Sequence, residues 1–421
     1  MIETYGCTLN HADSDMIEGI LKRSEVRVSR EGSTEDAKPD YVIVNTCTVK
    51  KPTEQRIIDR LEKLRGRGSS IIVTGCMASA NPERIKEALP EASIISISNI
   101  PTELPKVLEG GQARDSIAYR KVDRAKLIYN PKEVIARIPV SDGCLSSCSF
   151  CETKFARGPL NSFSEELILK AVSNAVSNGS KEIELASQDT GAYGADRRTD
   201  IADLVSKALS IDGNFRIRIG MLNPEHLHKY FDRLIECYKS DKVYKFLHLP
   251  VQSGSDSVLK EMRRNYSAEE FRSYVNEARS KIPGMSISTD MIVGYPTETE
   301  EDFLESISLL KETRPAVTNV SKFWERPNAS AKRSGRLSNQ IIKRRTIEMA
   351  RLAKSIQYED LSLAIGTTEK ICITEKNSKS YVGRDSFYRN IAVDSAEDLG
   401  TDITVRITGN SSVCLMAERI A

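Results

Sequence analysis

From residue 134 onward the sequence switches repeatedly between short β-rich runs and stretches of helical spacing. The strand candidates are Ile135–Val140, Glu182–Ala186, Phe215–Gly220, Lys245–Val251, Ser286–Val293 and Ala316–Phe323. Between them lie Glu165–Ser177, Ile201–Leu209, Pro224–Tyr238, Ala268–Lys281 and Glu300–Thr313, the fourth opened by a capping-box pattern at Ser267 with Glu270. A strand–helix–strand crossover returns the chain in the same direction, so this alternation demands a parallel sheet with helices on its face. Six such units predict a sheet curved into a partial (β/α)6 barrel, with its reactive face at the carboxyl ends of the strands.

Two flanking regions follow other rules. In residues 1–110, β-rich runs at Met1–Tyr5, Tyr41–Thr46, Ile71–Thr74 and Ser93–Ile97 alternate with helical stretches such as Thr53–Leu64 and Pro82–Leu89. That predicts a separate α/β domain with a doubly wound parallel sheet. Residues 111–133 lack a period and read as a linker. A long helix over Ser338–Leu363 closes the central domain, which spans residues 134–363. From residue 364 to 421 short runs (Lys370–Thr374, Asn390–Val393, Ile403–Thr408, Val413–Ala417) alternate with turn residues, as in a small all-β barrel. A chain of 421 residues is too long for one core, which agrees with three units.

No apolar run reaches the roughly 20 residues of a membrane span. The start, Met1-Ile2-Glu3-Thr4-Tyr5-Gly6-Cys7, lacks the basic and apolar regions of a signal peptide. The expectation is a reducing, cytoplasmic setting, where nine cysteines serve as metal ligands, catalytic thiols or buried apolar residues and not as a disulfide framework.

The segment Gly143-Cys144-Leu145-Ser146-Ser147-Cys148-Ser149-Phe150-Cys151 follows directly on the first strand of the central domain. Three thiolates this close can hold three irons of a 4Fe–4S cluster and leave the fourth open to a small molecule. The competing reading is structural zinc, which normally closes with four ligands, and no fourth is nearby. Cys7, Cys47 and Cys76 each end a strand of the first domain, two of them after a glycine. Neighbouring strand ends would gather their sulfurs at the ligand-binding rim of an open sheet. Three buried small hydrophobes remain the alternative for these positions.

Three amino-terminal segments, Gly6-Cys7-Thr8-Leu9-Asn10, Asn45-Thr46-Cys47-Thr48-Val49 and Gly75-Cys76-Met77-Ala78, resemble the cluster motifs of the methylthiotransferase family of radical S-adenosylmethionine (SAM) enzymes. Cys144–Cys151 with Lys154-Phe155-Ala156-Arg157-Gly158 resembles that family's radical SAM loop. Gly220–Pro224, Leu247–Gly254 and Thr289–Pro296 match further, and the tail resembles a TRAM RNA-binding barrel more weakly. The resemblance implies two 4Fe–4S clusters. One, on Cys144, Cys148 and Cys151, binds SAM and generates a radical that removes hydrogen from an inert C–H bond. The other, on Cys7, Cys47 and Cys76, carries or donates sulfur, and a second SAM gives the methyl group. It also implies a tRNA substrate, an external electron donor and a sulfur donor. The opening segment and Lys154–Gly158 are most similar to the archaeal and eukaryotic branch, which acts on N6-threonylcarbamoyladenosine next to the anticodon. The alternatives are the isopentenyladenosine branch, modification of a ribosomal protein aspartate, and, in another class, a non-catalytic RNA-binding protein holding zinc.

Phe150, Ser187, Gln188, Gln252 and Ser253 lie at or beside strand ends and are the candidate SAM contacts, each weighed against ordinary turn chemistry. His248 reads as a satisfied core histidine, and Cys237, Cys372 and Cys414 as apolar residues. Two departures from the family pattern stand out. Phe323–Ala331 carries Asn328 and Ala329 where the family usually has Gly and Thr. Glu152 sets a charge beside an anionic cluster and is expected to turn away from it. For RNA, Lys322–Lys354 holds ten Lys/Arg and two acids, whereas the tail from residue 364 holds seven Lys/Arg and eight acids. Lys343, Arg344 and Arg345 are therefore the candidate phosphate contacts.

Overall fold

The computed structural model describes residues 1–421 except 31–38, 112–113, 123, 129–132, 332–336, 378–379, 395–397 and 421. Lys332, Arg333 and Arg336 of the basic stretch, Lys379 of the tail and part of the expected linker lie outside the described residues.

In the first domain, β1 (Ile2–Thr4), β2 (Tyr41–Thr46), β3 (Ser70–Gly75) and β4 (Ser93–Ile94) form a parallel sheet in that order. A bridge from Ile2 to Arg30 lies on the outer side of β1, so the chain moves outward from β1 before crossing back to β2. That reversal is what a doubly wound sheet requires. Alternate residues of β2 and β3 feed two cores. Ile43 and Ile72 face α1 (Thr8–Arg23) and α5 (Ile100–Leu108), while Val44 and Val73 face α2 (Lys51–Leu64) and α4 (Pro82–Ala88). Five-residue α3 (Cys76–Ala80) begins directly at the end of β3.

The central domain contains β5 (Ile135–Pro139), β6 (Glu182–Ala186) and β7 (Arg216–Ile219), all parallel. A second parallel set is β8 (Phe246–His248), β9 (Ser286–Val293) and β10 (Val317–Lys322). A bridge between Ile217 and Val243 links the two sets into one six-strand arc. The strands were expected to run as far as Val140, Gly220 and Val251. They stop earlier because their last residues turn into the rim. The Ser267–Glu270 capping box is formed, with Ser267 Oγ accepting from Glu270 N at 3.1 Å. The closing helix, α6 here (Asn339–Ser362), is capped by Ser338 Oγ, which accepts from Ile341 N.

The tail is a closed five-strand barrel of Thr368–Lys376, Tyr381–Arg384, Asn390–Val393, Asp402–Asn410 and Leu415–Arg419. The Tyr381–Arg384 strand was not foreseen. Gly383 interrupts its apolar pattern, because a Cβ there would lie 2.7 Å from Ile371 Cδ1.

This barrel packs under the amino ends of the central strands. Lys245 N donates to Ser386 O at 2.7 Å, Asn214 Nδ2 donates to Asp402 Oδ2 at 3.0 Å, and Phe387 packs on Gly284. Tyr388, in the left-handed region at φ 64, rests on Tyr244 and Phe246 and places its hydroxyl 2.8 Å from Glu182 and 3.0 Å from Glu184. Burial pushes the Glu182 carboxyl upward.

Candidate active site

Cys7, Cys47 and Cys76 lie where strands end, and Cys144, Cys148 and Cys151 lie in the loop that follows β5. Gly6 sits at φ 126, and a Cβ on it would come within 2.8 Å of Cys47 Cβ, so the ends of β1 and β2 approach too closely for any other residue. Gly143, at φ 69, presses against Pro159 O in the same way and fixes the loop that carries Cys144.

Cys47 and Cys76 are buried and Cys7 is exposed. Burial pushes the Cys47 thiol up to about 12, with the neighbouring Cys76 and Cys7 sulfurs adding to the rise. Cys144 is likewise pushed up to about 12, by burial first, then by Asp189, Cys151 and Cys148. Each trio is therefore close enough to interact electrostatically. Among the described residues, no three His, Cys, Asp or Glu side chains converge as ligands of one metal ion. A cluster that offers separate irons to separate sulfurs makes no such demand.

Cations and backbone N–H groups stand beside the sulfurs, although burial outweighs them at Cys76 and raises its thiol. Arg157 Nε lies 3.2 Å from Cys76 Sγ, and Arg264 Nη1 lies 3.3 Å from Cys148 Sγ; both guanidiniums are buried. Val49 N donates to Cys47 Sγ at 3.5 Å and Thr153 N to Cys151 Sγ at 3.3 Å. Asn10 Oδ1 lies 3.5 Å from Cys7 Sγ, while its Nδ2 donates to Thr46 O at 2.8 Å. Buried cations beside sulfur favour the charged form. Three sulfurs per trio and a fixed positive charge at each fit an iron–sulfur cluster with one iron left without a protein ligand.

Arg157 also joins the two domains. It stands on a short helix, Thr153–Arg157, that packs against Cys76–Ala80, and Cys76 touches Ala156. Its Nη2 lies 2.6 Å from Asp13 Oδ2 on α1. Arg124, in the expected linker, donates to Asp13 at 2.7 Å and to Asp142 Oδ2 at 2.7 Å. The far edge of the arc is fastened too. Arg326 pairs with Glu54 and donates to Val49 O at 2.7 Å, and Asn328 Nδ2 donates to Ala80 O at 2.8 Å. The Asn328 departure thus contributes an interdomain hydrogen bond. Glu152 is turned to the other domain, where it meets Thr48 Oγ1 and lies 3.9 Å from Arg326.

A cavity of about 200 Å³ opens between these fastenings. Thr48, Val49 and Lys50 line it from the first domain, and Phe150, Cys151, Glu152, Gln252, Asp290, Ile292 and Trp324 from the second. Phe150 and Gln252 both line this cavity. Gln252 has a left-handed backbone, φ 74, held by hydrogen bonds of 2.9 Å to Asp290 O and from Ile292 N. Gln188 Oε1 is buried with no partner among the described residues, and Ser187 Oγ lies 3.2 Å from Thr190 Oγ1. Ser253 points elsewhere: it is buried against Ser306 and accepts from Ser255 N at 3.2 Å. His248 is not a plain core residue, because its Nε2 lies 3.2 Å from Asp290 Oδ2, and Asn319 donates to the same carboxylate at 2.8 Å. Burial alone would raise Asp290, but His248 and Asn319 outweigh it and hold the carboxyl below its usual range.

On α6, Arg345 is buried and donates to Glu298 Oε2 at 2.7 Å and Glu300 Oε2 at 2.8 Å. Its guanidinium is committed to the fold, which corrects its place among phosphate contacts. Arg344 is exposed but paired with Glu300 at 2.7 Å, and Lys343 is exposed. Arg157, Arg264, Asp290 and Arg326 had no assigned role in the sequence reading. The one available signal was a charge set inside a cysteine or strand-end segment that is otherwise buried.

Residues 1–96 match the model described as "Uncharacterized protein family UPF0004", and residues 138–310 match the radical SAM superfamily. The chain is 37% identical to a probable threonylcarbamoyladenosine tRNA methylthiotransferase of Methanothermobacter thermautotrophicus, over 99% of this chain and 98% of that protein. It is 39% identical to the protein of the same name from Archaeoglobus fulgidus, over 96% and 95%. Against the threonylcarbamoyladenosine tRNA methylthiotransferase of Xenopus laevis it is 32% identical, over 96% of this chain and 74% of that one. Among solved structures, the fold is similar to the radical SAM methyltransferase TsrM of Kitasatospora setae, with a TM-score of 0.57 at 12% identity over 78% and 76% of the two chains.

Proposed function

The chain belongs to the threonylcarbamoyladenosine tRNA methylthiotransferases, a radical SAM family, and on that premise we propose that it converts N6-threonylcarbamoyladenosine beside the anticodon to its 2-methylthio derivative. The observation that carries this reading is Arg157. It stands on the helix that follows Cys151 and donates to Cys76, so one guanidinium ties the loop of the second cysteine set to a sulfur of the first.

When bound, a cluster on Cys144, Cys148 and Cys151 with SAM would supply radical chemistry, a second on Cys7, Cys47 and Cys76 the sulfur, and a further SAM the methyl group. The chain's own residues hold, orient and shield. Arg264 and Arg157 set a buried guanidinium against the Cys148 and Cys76 sulfurs. Asn10 ties Cys7 to the end of β2. Phe150, Ile292 and Phe323 form an apolar wall that keeps water out, which radical chemistry requires. Gln188 and Gln252 are the polar groups placed for SAM. Ser187 supports that strand end, and Ser253 acts indirectly by fixing the turn after Gln252.

Lys343 and Arg344 on the exposed face of α6 would meet tRNA phosphates. Electrons and replacement sulfur come from outside the chain, in a cytoplasm reducing enough to keep the thiols available. No helix among the described residues is long and apolar enough to cross a membrane.

The test is mass spectrometry of nucleosides from tRNA incubated with anaerobically reconstituted protein, SAM and a reductant. The methylthio product should form on threonylcarbamoyladenosine. Product on isopentenyladenosine in its place would overturn the substrate assignment.

A further inference from the structure

One side of the interdomain cavity plays no part in holding sulfur. It is built by Lys50 from the first domain and by Asn319, Lys322 and Trp324 from the last strand of the arc and the residues that follow. Its charges do not balance. The two carboxylates in the wall have partners of their own, Asp290 in His248 and Asn319, and one oxygen of Glu152 in Thr48 and Arg326. Lys50 and Lys322 are exposed and form no ion pair among the described residues. Lys50 lines the same cavity as Asp290 and helps to hold that carboxyl below its usual range without forming an ion pair with it. The lining holds three cations, Lys50, Lys322 and Arg326, against two carboxylates, Asp290 and Glu152, and of the cations only the two lysines have no ion pair among the described residues. Glu152 Oε2 is buried with no hydrogen-bond partner among the described residues, so the wall also retains an unmatched acceptor. Trp324, the single tryptophan of the sequence, lines the same cavity with 43% of its surface open. A flat aromatic face of that kind is a stacking platform for a base.

These groups describe a ligand with a planar ring, hydrogen-bond donors and one anionic group. Resting on the substrate reading above, we propose that Lys50 and Lys322 bind the threonyl carboxylate of the substrate side chain while Trp324 stacks on its base. The carboxylate is what separates this nucleoside from unmodified adenosine and from an isopentenyl derivative. An uncharged base gains nothing from the two ammoniums, so the pair favours the acid over its neutral competitors.

The test uses the full reconstituted chain and three anticodon stem-loops, bearing adenosine, the threonylcarbamoyl acid, or its carboxamide, which has the same shape without the charge. Wild type should bind the acid about tenfold more tightly than the carboxamide, the gain of a charge-assisted contact. The double variant Lys50→Gln/Lys322→Gln should lose that tenfold on the acid and leave the carboxamide where it was, and Lys→Arg at both positions should restore most of it. Trp324→Ala should weaken acid and carboxamide alike. If the Gln variant weakens both stem-loops equally, the lysines contact phosphate and the proposal fails. If wild type prefers the acid but the variant keeps the preference, the proposal fails and the substrate reading survives. If wild type modifies unmodified adenosine equally well, the substrate reading itself fails and takes the proposal with it.

Discussion

The two ends of the central six-strand arc are both lined with charge, and they use it in opposite ways. At the amino ends, Glu182 and Glu184 are met by the Tyr388 hydroxyl, Arg384 lies 3.3 Å from Glu182, and Arg218 rests on the rings of Phe246 and Tyr388. At the carboxyl ends, Gln188 Oε1 and Glu152 Oε2 are buried without partners among the described residues, Gln252 is held in a left-handed conformation, and two guanidiniums point at sulfur. Buried atoms without a hydrogen-bond partner among the described residues, and a left-handed residue, occur at both ends, Arg218 Nε, Arg384 Nε and Tyr388 among them at the amino end. What separates the ends is what the cations meet: carboxylates and rings at one, sulfurs at the other. The amino end is a seal, and the carboxyl end is set up for chemistry.

The largest effect should separate the two cysteine sets at the chemical end. Replacing Cys144, Cys148 and Cys151 with Ala should abolish SAM cleavage. Replacing Cys7, Cys47 and Cys76 should leave uncoupled cleavage while stopping sulfur insertion, and reconstituted iron should fall from about eight per chain to about four. Loss of cleavage in the amino-terminal variant with its other cluster intact would erase that division. Arg157→Gln comes next. It leaves Asp13 facing one cation fewer in a buried site, a change that typically costs about 3–5 kcal/mol. A lower melting temperature and an altered spectroscopic signature of the amino-terminal cluster are expected, and an unchanged signature would reduce Arg157 to a structural tie. Tyr388→Ala probes the sealed end. It should destabilise the chain by about 3 kcal/mol through lost aromatic packing and leave SAM cleavage without RNA intact. If cleavage fell as well, the two ends would not be independent. The smallest effect belongs to the surface. Lys343→Ala/Arg344→Ala should flatten the salt dependence of tRNA binding by up to about two units, read from titrations at several salt concentrations.

Much of this was legible in the sequence because it rests on local rules. The six-strand alternation, the cap at Ser267 and the positions of Cys7, Cys47 and Cys76 at strand ends follow from spacing alone. What escaped depends on contacts between residues far apart in the chain. Arg345 belongs to a run of three cations, and only the packing of α6 reveals that it is spent on Glu298 and Glu300. His248 sits among apolar neighbours in sequence, yet Asp290, 42 positions later, faces it. Ser253 follows Gln252 directly but is buried against Ser306 and accepts from Ser255 N, contacts that only the packing reveals. Arg326 and Asn328 looked like part of an irregular loop, and their partners on the first domain give that loop its shape.

The tail barrel lies under the amino ends of the strands and the cavity lies at their carboxyl ends. The longest strand between them, Ser286–Val293, has eight residues and spans about 26 Å at the rise of an extended chain. A single molecule that touches both must be at least that long. A free nucleoside cannot do so, whereas a folded RNA hairpin can. The central domain thus acts as a spacer: it sets a minimum length for any single molecule that would touch both the tail barrel and the cavity.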